Sequence, residues 1–165
     1  MTMKKFLKVD EWNIIEEGFH ADNLRASESI FSLGNGRFGQ RGNFEESYSS
    51  DSLQGSYVAG ITFLDRTRVG WWKNGYPRFF SRIPNTPDWS GIYVRLIDEE
   101  LDLAHWDVES YERRLDMKAG ISYRDFRVTS PKGNTLEVHV EHINSMDNQN
   151  LCLIKYSVTS VNYEG

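Results

Sequence analysis

Residues 27–44 read SESIFSLGNGRFGQRGNF, and the reading of this stretch decides the fold. Gly34-Asn35-Gly36-Arg37-Phe38-Gly39 satisfies the dinucleotide-binding pattern G-x-G-x-x-G. That pattern holds a pyrophosphate only when its third glycine opens a helix whose N-terminus faces the phosphates. Here Gln40, Arg41, Gly42 and Asn43 follow, with another glycine in what would be the first turn and no apolar 3.6-residue period beyond. Asn35-Gly36 is instead the strongest short signal for a type I′ hairpin turn, in which both central residues take positive φ. Ser29 to Leu33 reads as the strand entering the turn and Arg37 to Arg41 as the strand leaving it.

Outward from the hairpin the chain keeps to strands and turns. Upstream, Phe6 to Phe19 has no helical period and reads as an extended edge segment. Ala21 to Glu28 fits a short turn capped by Asp22 or Ser27. Downstream, Glu45 to Gly55 is rich in Ser, Asp and Glu, a surface loop, and Tyr57 to Ile61 is a short strand. Asp65 to Phe80 is both aromatic and basic, and no regular period fits it. Gly91 to Ile97 alternates, and Leu101 to Leu103 begins another short strand. Asp107 to Asp116, with Tyr111 and Leu115 four apart, is the one region that fits a helical turn, ended by Gly120. Ile121 to Thr129 is a strand whose apolar phase slips between Tyr123 and Phe126, as at a bulge. Leu136, Val138 and Val140 alternate with Glu137, His139 and Glu141, a strand with one wet face. Leu151 to Thr159 is nearly all apolar and reads as a central strand. The fold class expected is all-β, an antiparallel sandwich, with residues 1–165 in one domain.

Composition narrows the function. Of 165 residues, 39% are hydrophobic and 26% charged, which suits a globular chain. A net charge of −5 and no basic cluster beyond Lys4-Lys5 argue against nucleic acid or an anionic membrane as partner. Cys152 is the only cysteine, so no intrachain disulfide forms; its apolar run places it as a buried thiol. No apolar stretch has signal-peptide or membrane-spanning length, and a cytoplasmic location follows as the default.

The residues that could carry chemistry are few. Glu45-Glu46, Glu99-Glu100 and the group Glu109, Glu112 and Asp116 are the carboxylate candidates for glycoside chemistry, but in turns acids are ordinarily solvated. His139 and His142 lie three apart and face opposite sides of a strand, so they cannot share a metal without a bend. There is no nucleophile elbow or phosphate-binding P-loop. The best ligand-facing stretch holds Trp71, Trp72, Lys73, Asn74 and Tyr76: flat rings stack on sugar C–H faces while Lys and Asn supply donors. The same loop would equally pin a domain interface.

Several ordered blocks resemble one family. ESIFSLGNGRFGQRGNFEE (Glu28 to Glu46), Tyr57 to Ile61, Pro87-Asp88-Trp89 and Tyr111 to Gly120 are similar to the N-terminal domain of glycoside hydrolase family 65, which includes the maltose, trehalose and kojibiose phosphorylases. Thr67 to Pro77 is most similar to the maltose phosphorylase branch, and the resemblance runs from about Trp12 to the C-terminus. It implies a galactose-mutarotase-like super-sandwich, here incomplete, followed in the family by an (α/α)6 barrel that holds the catalytic glutamate and the phosphate site. No position of this chain corresponds to those residues, so it implies no catalytic residue here, no metal and no cofactor. The parent reaction would be inverting phosphorolysis of a glucosyl disaccharide by inorganic phosphate, giving β-glucose 1-phosphate. The isolated chain would be inactive, a sugar-binding module or a scaffold. An unfinished sandwich also leaves strand edges open to association, as in a homodimer.

Overall fold

The alternation at Leu136, Val138 and Val140 continues in space to His142 and Asn144, all five buried on one face of a ten-residue strand. Neighbouring strands repeat it with Arg124, Phe126 and Val128, and with Tyr111, Arg113 and Leu115. A computed structural model describes residues 6–68 and 75–163. In chain order its elements are β1 (Leu7–Val9), β2 (Asn13–Glu17), a 3-10 turn (Ala21–Asn23), α1 (Leu24–Ile30), β3 (Leu33–Gly34), β4 (Phe38–Gln40), β5 (Ser56–Val58), β6 (Phe63–Arg66), β7 (Phe79–Arg82), β8 (Arg95–Leu96), β9 (Glu99–Glu100), β10 (Asp107–Asp116), β11 (Ile121–Thr129), β12 (Thr135–Asn144) and β13 (Cys152–Ser160). Six of them make one antiparallel sheet in the order β1-β2-β10-β11-β12-β13. The sheet's inner face carries Tyr111, Phe126, Val128, Leu136, Val138 and Val140, and Leu24, Phe44, Leu101, Leu103 and Trp106 cover it from α1 and the connecting segments. Each such side chain removed from water contributes about 1.5–3 kcal/mol. The outer face is charged: Arg127 bridges Glu109 and Glu137 at 2.8 Å each, and His139 lies between Asp125 and Glu141. The all-β antiparallel sandwich expected from the sequence is the fold.

The 34–39 stretch is a hairpin, as its turn chemistry requires. Leu33 pairs with Gln40 and Gly34 with Gly39, so Gly39 continues a ladder and opens no helix. The turn differs in type. Gly36 has φ +85°, whereas Asn35 keeps negative φ, so the positive-φ residue is the first of the central pair Gly36-Arg37. That sign pattern belongs to a type II′ turn. Asn35 is buried and serves otherwise: its Oδ1 accepts from the amides of Arg37 (3.1 Å) and Phe38 (2.9 Å), and its Nδ2 donates to the Ser145 carbonyl at 2.9 Å. The asparagine thereby ties the hairpin to the end of β12.

Several expectations are corrected. Ser29 and Ile30 end α1 rather than start a strand, with the Phe31 amide donating to Ser27 O at 2.9 Å. Asp107–Asp116 is a strand, because a buried Arg113 fills the inward position between Tyr111 and Leu115 and hides the period of two. The bulge sits in β10, between Val108 and Ser110, and β11 runs regularly. Only Arg95–Leu96 of the 91–97 stretch is strand, and Leu101 to Leu103 is buried chain with a single bridge from Asp102 to Ser47. β13 is an edge rather than a central strand; its Ile154 and Tyr156 pack on the core, Leu153 faces outward, and Val158 stays exposed although it shares the inward side with Tyr156. Cys152 opens that edge strand and is only half-buried.

Candidate functional site

Glu45 and Glu46 lie where the sequence suggests a solvated loop, yet both are buried. The reason is Arg124, on the inner face of β11. Its Nη2 donates to Glu45 Oε2 at 2.5 Å and to Glu46 Oε2 at 2.6 Å, while its Nη1 bonds Glu46 Oε1. The guanidinium also lies 4.8 Å from the Phe44 ring centroid and 4.9 Å from that of Phe126. Tyr156 donates its hydroxyl to Glu46 Oε2 at 3.2 Å, and His142 Nδ1 approaches Glu45 Oε1 at 3.5 Å. Burial opposes charge on Arg124, but Glu46 and Glu45 outweigh it and hold the arginine well above its ordinary range. Burial likewise raises Glu45, and Arg124 and His142 more than reverse that, so its carboxyl sits below the usual value. A second buried pair, Arg113 Nε and Glu16 Oε2 at 3.3 Å, lies on the neighbouring strands, with Ser27 Oγ donating to Glu16 Oε1 at 2.8 Å.

Glu45 and Glu46 form the inner wall of a cleft of about 880 Å³. The opposite rim is built by the 88–106 segment, which contributes Asp88, Tyr93, Glu99, Glu100, Asp102 and Trp106. The Ile92 amide donates to the Glu45 carbonyl at 2.7 Å and locks the two walls together. Glu99 and Glu100 are placed by a two-residue hairpin, β8 to β9, whose Ile97 takes φ +57°, a strained conformation for a β-branched residue.

Each rim carboxylate accepts from neutral donors. Glu99 takes the Ser130 hydroxyl (2.8 Å) and Asn134 Nδ2 (3.1 Å), Glu100 the Ser47 hydroxyl, and Asp88 the Ser90 amide (3.0 Å) and hydroxyl (2.6 Å). Asp102 takes the Ala104 amide at 2.8 Å. Ser49, His105 and Asp102 superficially suggest a catalytic triad, with Ser49 Oγ 3.0 Å and Asp102 Oδ2 3.9 Å from the ring. Both approach the same nitrogen, His105 Nε2. A triad needs the acid on the other one, so this constellation activates no nucleophile.

Residues 14–165 match the family model described as "Glycosyl hydrolase family 65, N-terminal domain". The chain belongs to that family. This family 65 domain is 42% identical over 156 residues to maltose phosphorylase of Bacillus subtilis (strain 168), covering 94% of this chain and 20% of that protein. It is 34% identical to an alpha,alpha-trehalose phosphorylase of Thermoanaerobacter brockii over 99% of this chain and 22% of that one. A solved structure titled a putative kojibiose phosphorylase from human microbiome superposes with a TM-score of 0.85 at 29% identity, over 94% of this chain and 20% of the other. The chain thus spans about a fifth of the length of the relatives it matches.

Of the residues singled out for sugar contact, Trp71, Trp72, Lys73 and Asn74 lie outside the described residues. Tyr76 is exposed, edge-on to Phe80 with ring centroids 5.8 Å apart. It stands in the connection between β6 and β7, on residues that do not line the acidic cleft. Asn35 and Gly36 both lie at the hairpin turn, with Asn35 flanking the central pair rather than belonging to it. The family 65 domain's buried Arg124 was missed in the sequence, where it looks like one of many strand arginines. An inward phase shared with Phe126 and Val128 was the signal for it.

Proposed function

We propose that this family 65 domain is the non-catalytic β-sandwich of a disaccharide phosphorylase, acting in carbohydrate metabolism in the cytoplasm. The whole protein would phosphorolyse a glucosyl disaccharide such as maltose with inversion, using inorganic phosphate and giving β-glucose 1-phosphate and glucose. In this reading residues 1–165 are one domain, the catalytic barrel is a separate partner domain, and the domain supplies structure to it. The observation that carries the reading is the match over 14–165 to a domain that makes up only about a fifth of phosphorylase relatives. The chemistry agrees: the cleft acids are engaged in holding loops, and Arg124 neutralises the most buried two. The test incubates the purified chain with inorganic phosphate and maltose, trehalose or kojibiose. No glucose 1-phosphate above the blank is expected, and release from any of the three overturns the assignment.

A further inference from the structure

A second cavity, of about 20 Å³, lies against both buried arginines. Gln40, Arg113 and His142 reach it from β4, β10 and β12. All three are more than nine-tenths buried, and each holds one polar atom with no hydrogen-bond partner among the described residues: Gln40 Oε1, Arg113 Nε and His142 Nε2. Their other polar atoms are already engaged, which fixes the side chains in place. Gln40 Nε2 donates to Ser90 Oγ at 2.6 Å, Arg113 Nη1 donates to the Gly42 carbonyl at 2.9 Å, and His142 Nδ1 faces Glu45 Oε1 at 3.5 Å. Arg113 Nε is 3.3 Å from Glu16 Oε2 but outside hydrogen-bond geometry. Trp89 adds a further restraint, edge-on to the His142 ring at 5.2 Å. Buried donors and acceptors that have lost their hydration need a replacement partner.

The chemistry of the three atoms selects that partner. Arg113 Nε–H only donates, Gln40 Oε1 only accepts, and His142 Nε2 does either according to its proton. A cation would meet the arginine donor and an anion would meet the glutamine carbonyl, so an ion suits neither end of the set. A water molecule accepts from the arginine, donates to the glutamine and serves the histidine in either sense. It needs roughly 10–15 Å³ and two to four polar partners. The cavity has room for one water and offers three partners. We propose that this cavity is a binding site for a single structural water, which bridges β4 of the three-stranded sheet to β10 and β12 of the six-stranded one. The bridge ties the hairpin to the main sheet beside the buried ion pairs. This inference does not depend on the phosphorylase reading.

The test is a crystal structure of the full chain at a resolution that shows ordered solvent. One peak is expected within about 3.2 Å of Gln40 Oε1, Arg113 Nε and His142 Nε2. In solution, the Arg113 Nε–H proton should show a nuclear Overhauser effect to water with the sign of a long-lived bound molecule. Ser122 lines the cavity from β11, and Ser122→Val would fill it. That variant should lose both signals and melt at a lower temperature, because it displaces a hydrogen-bonded water that a methyl group cannot replace. Filling a dry cavity would raise the melting temperature instead. The wild-type peak and Overhauser effect decide the matter even where the variant does not fold. An empty cavity overturns the proposal, as does a peak contacting only donors or only acceptors, an Overhauser effect with the sign of fast surface water, or a Ser122→Val variant that melts higher.

Discussion

Arg124 shows how far one residue can be judged from its surroundings. A guanidinium buried between two carboxylates balances desolvation against attraction, but removing it leaves two uncompensated buried acids. Arg124→Met should therefore cost about 3–5 kcal/mol of unfolding free energy. Urea denaturation measures it, and adding Glu45→Gln and Glu46→Gln should return part of the loss; a cost below about 1 kcal/mol would remove the ion cluster from any role in stability. The pH dependence follows from sign. Glu45 is depressed below its ordinary 4.5 in the folded chain, so its contribution is full above pH 4.5 and is lost as pH falls through the folded value. Glu45→Gln should flatten the acid limb of stability there. Ile97 makes the opposite case, a residue its position does not suit. Positive φ costs a side-chain-bearing residue about 1–2 kcal/mol and asparagine tolerates it better, so Ile97→Asn should raise the melting temperature; a fall would mean that the exposed isoleucine packs usefully at the cleft rim.

At the scale of elements, legibility followed burial chemistry. β12 could be read from its sequence because every inward residue from Leu136 to Val140 is apolar and every outward one is polar. β10 could not, because its inward set includes Arg113, and a charged residue on the buried face looks like a surface position. Tyr111 and Leu115, four apart, then fit a helix as well as a strand. β13 misled in the other direction: an apolar run suggests a central strand, yet its outward side is exposed at the sheet edge. The hairpin was legible from Asn35-Gly36, but its turn type was not, since that depends on Asn35 using its side chain to bond amides two and three residues on. The outer face of β11, β12 and β13 carries a testable device of its own. His139 is held by Asp125 at 2.6 Å and Glu141 at 3.0 Å, with Lys155 also on Glu141 at 2.7 Å. The hydrogen bond to Asp125 first, then that to Glu141, raises His139 above its ordinary 6.5. A raised folded value means that the contribution is full below pH 6.5 and is lost as pH climbs through the folded value. NMR titration of the His139 ring should show a midpoint above 6.5, and Asp125→Asn should lower it; a midpoint at or below 6.5 would show the ring unpaired in solution.

Over the whole molecule, stability should be graded outward from the six-stranded sheet. β10, β11 and β12 are each flanked on both sides, and their inner face meets the hydrophobic core. Among the described residues β1 and β13 are edges, and the β6–β7 arm belongs to no larger sheet. The candidate cleft lies between these regimes: its inner wall is anchored through Arg124 to β11, while its rim hangs on short hairpins and side-chain hydrogen bonds. This is why the cleft was the least legible part of the sequence. Its acids come from two stretches about forty residues or more apart, Glu45-Glu46 and the segment from Asp88 to Asp102, and only the fold brings them together. Backbone amides open either locally, where few contacts hold them, or only with the whole fold. Amides of β11 and β12 should therefore exchange hydrogen only through global unfolding, with a free energy equal to that from urea. Arm amides from 63–66 and 79–82 should exchange far faster, through local opening of the two-stranded pair. Native-state exchange followed by NMR measures both sets of amides. Arm amides as protected as those of β12 would mean that the arm is rigid by itself, and the gradient argued from sheet order would fail.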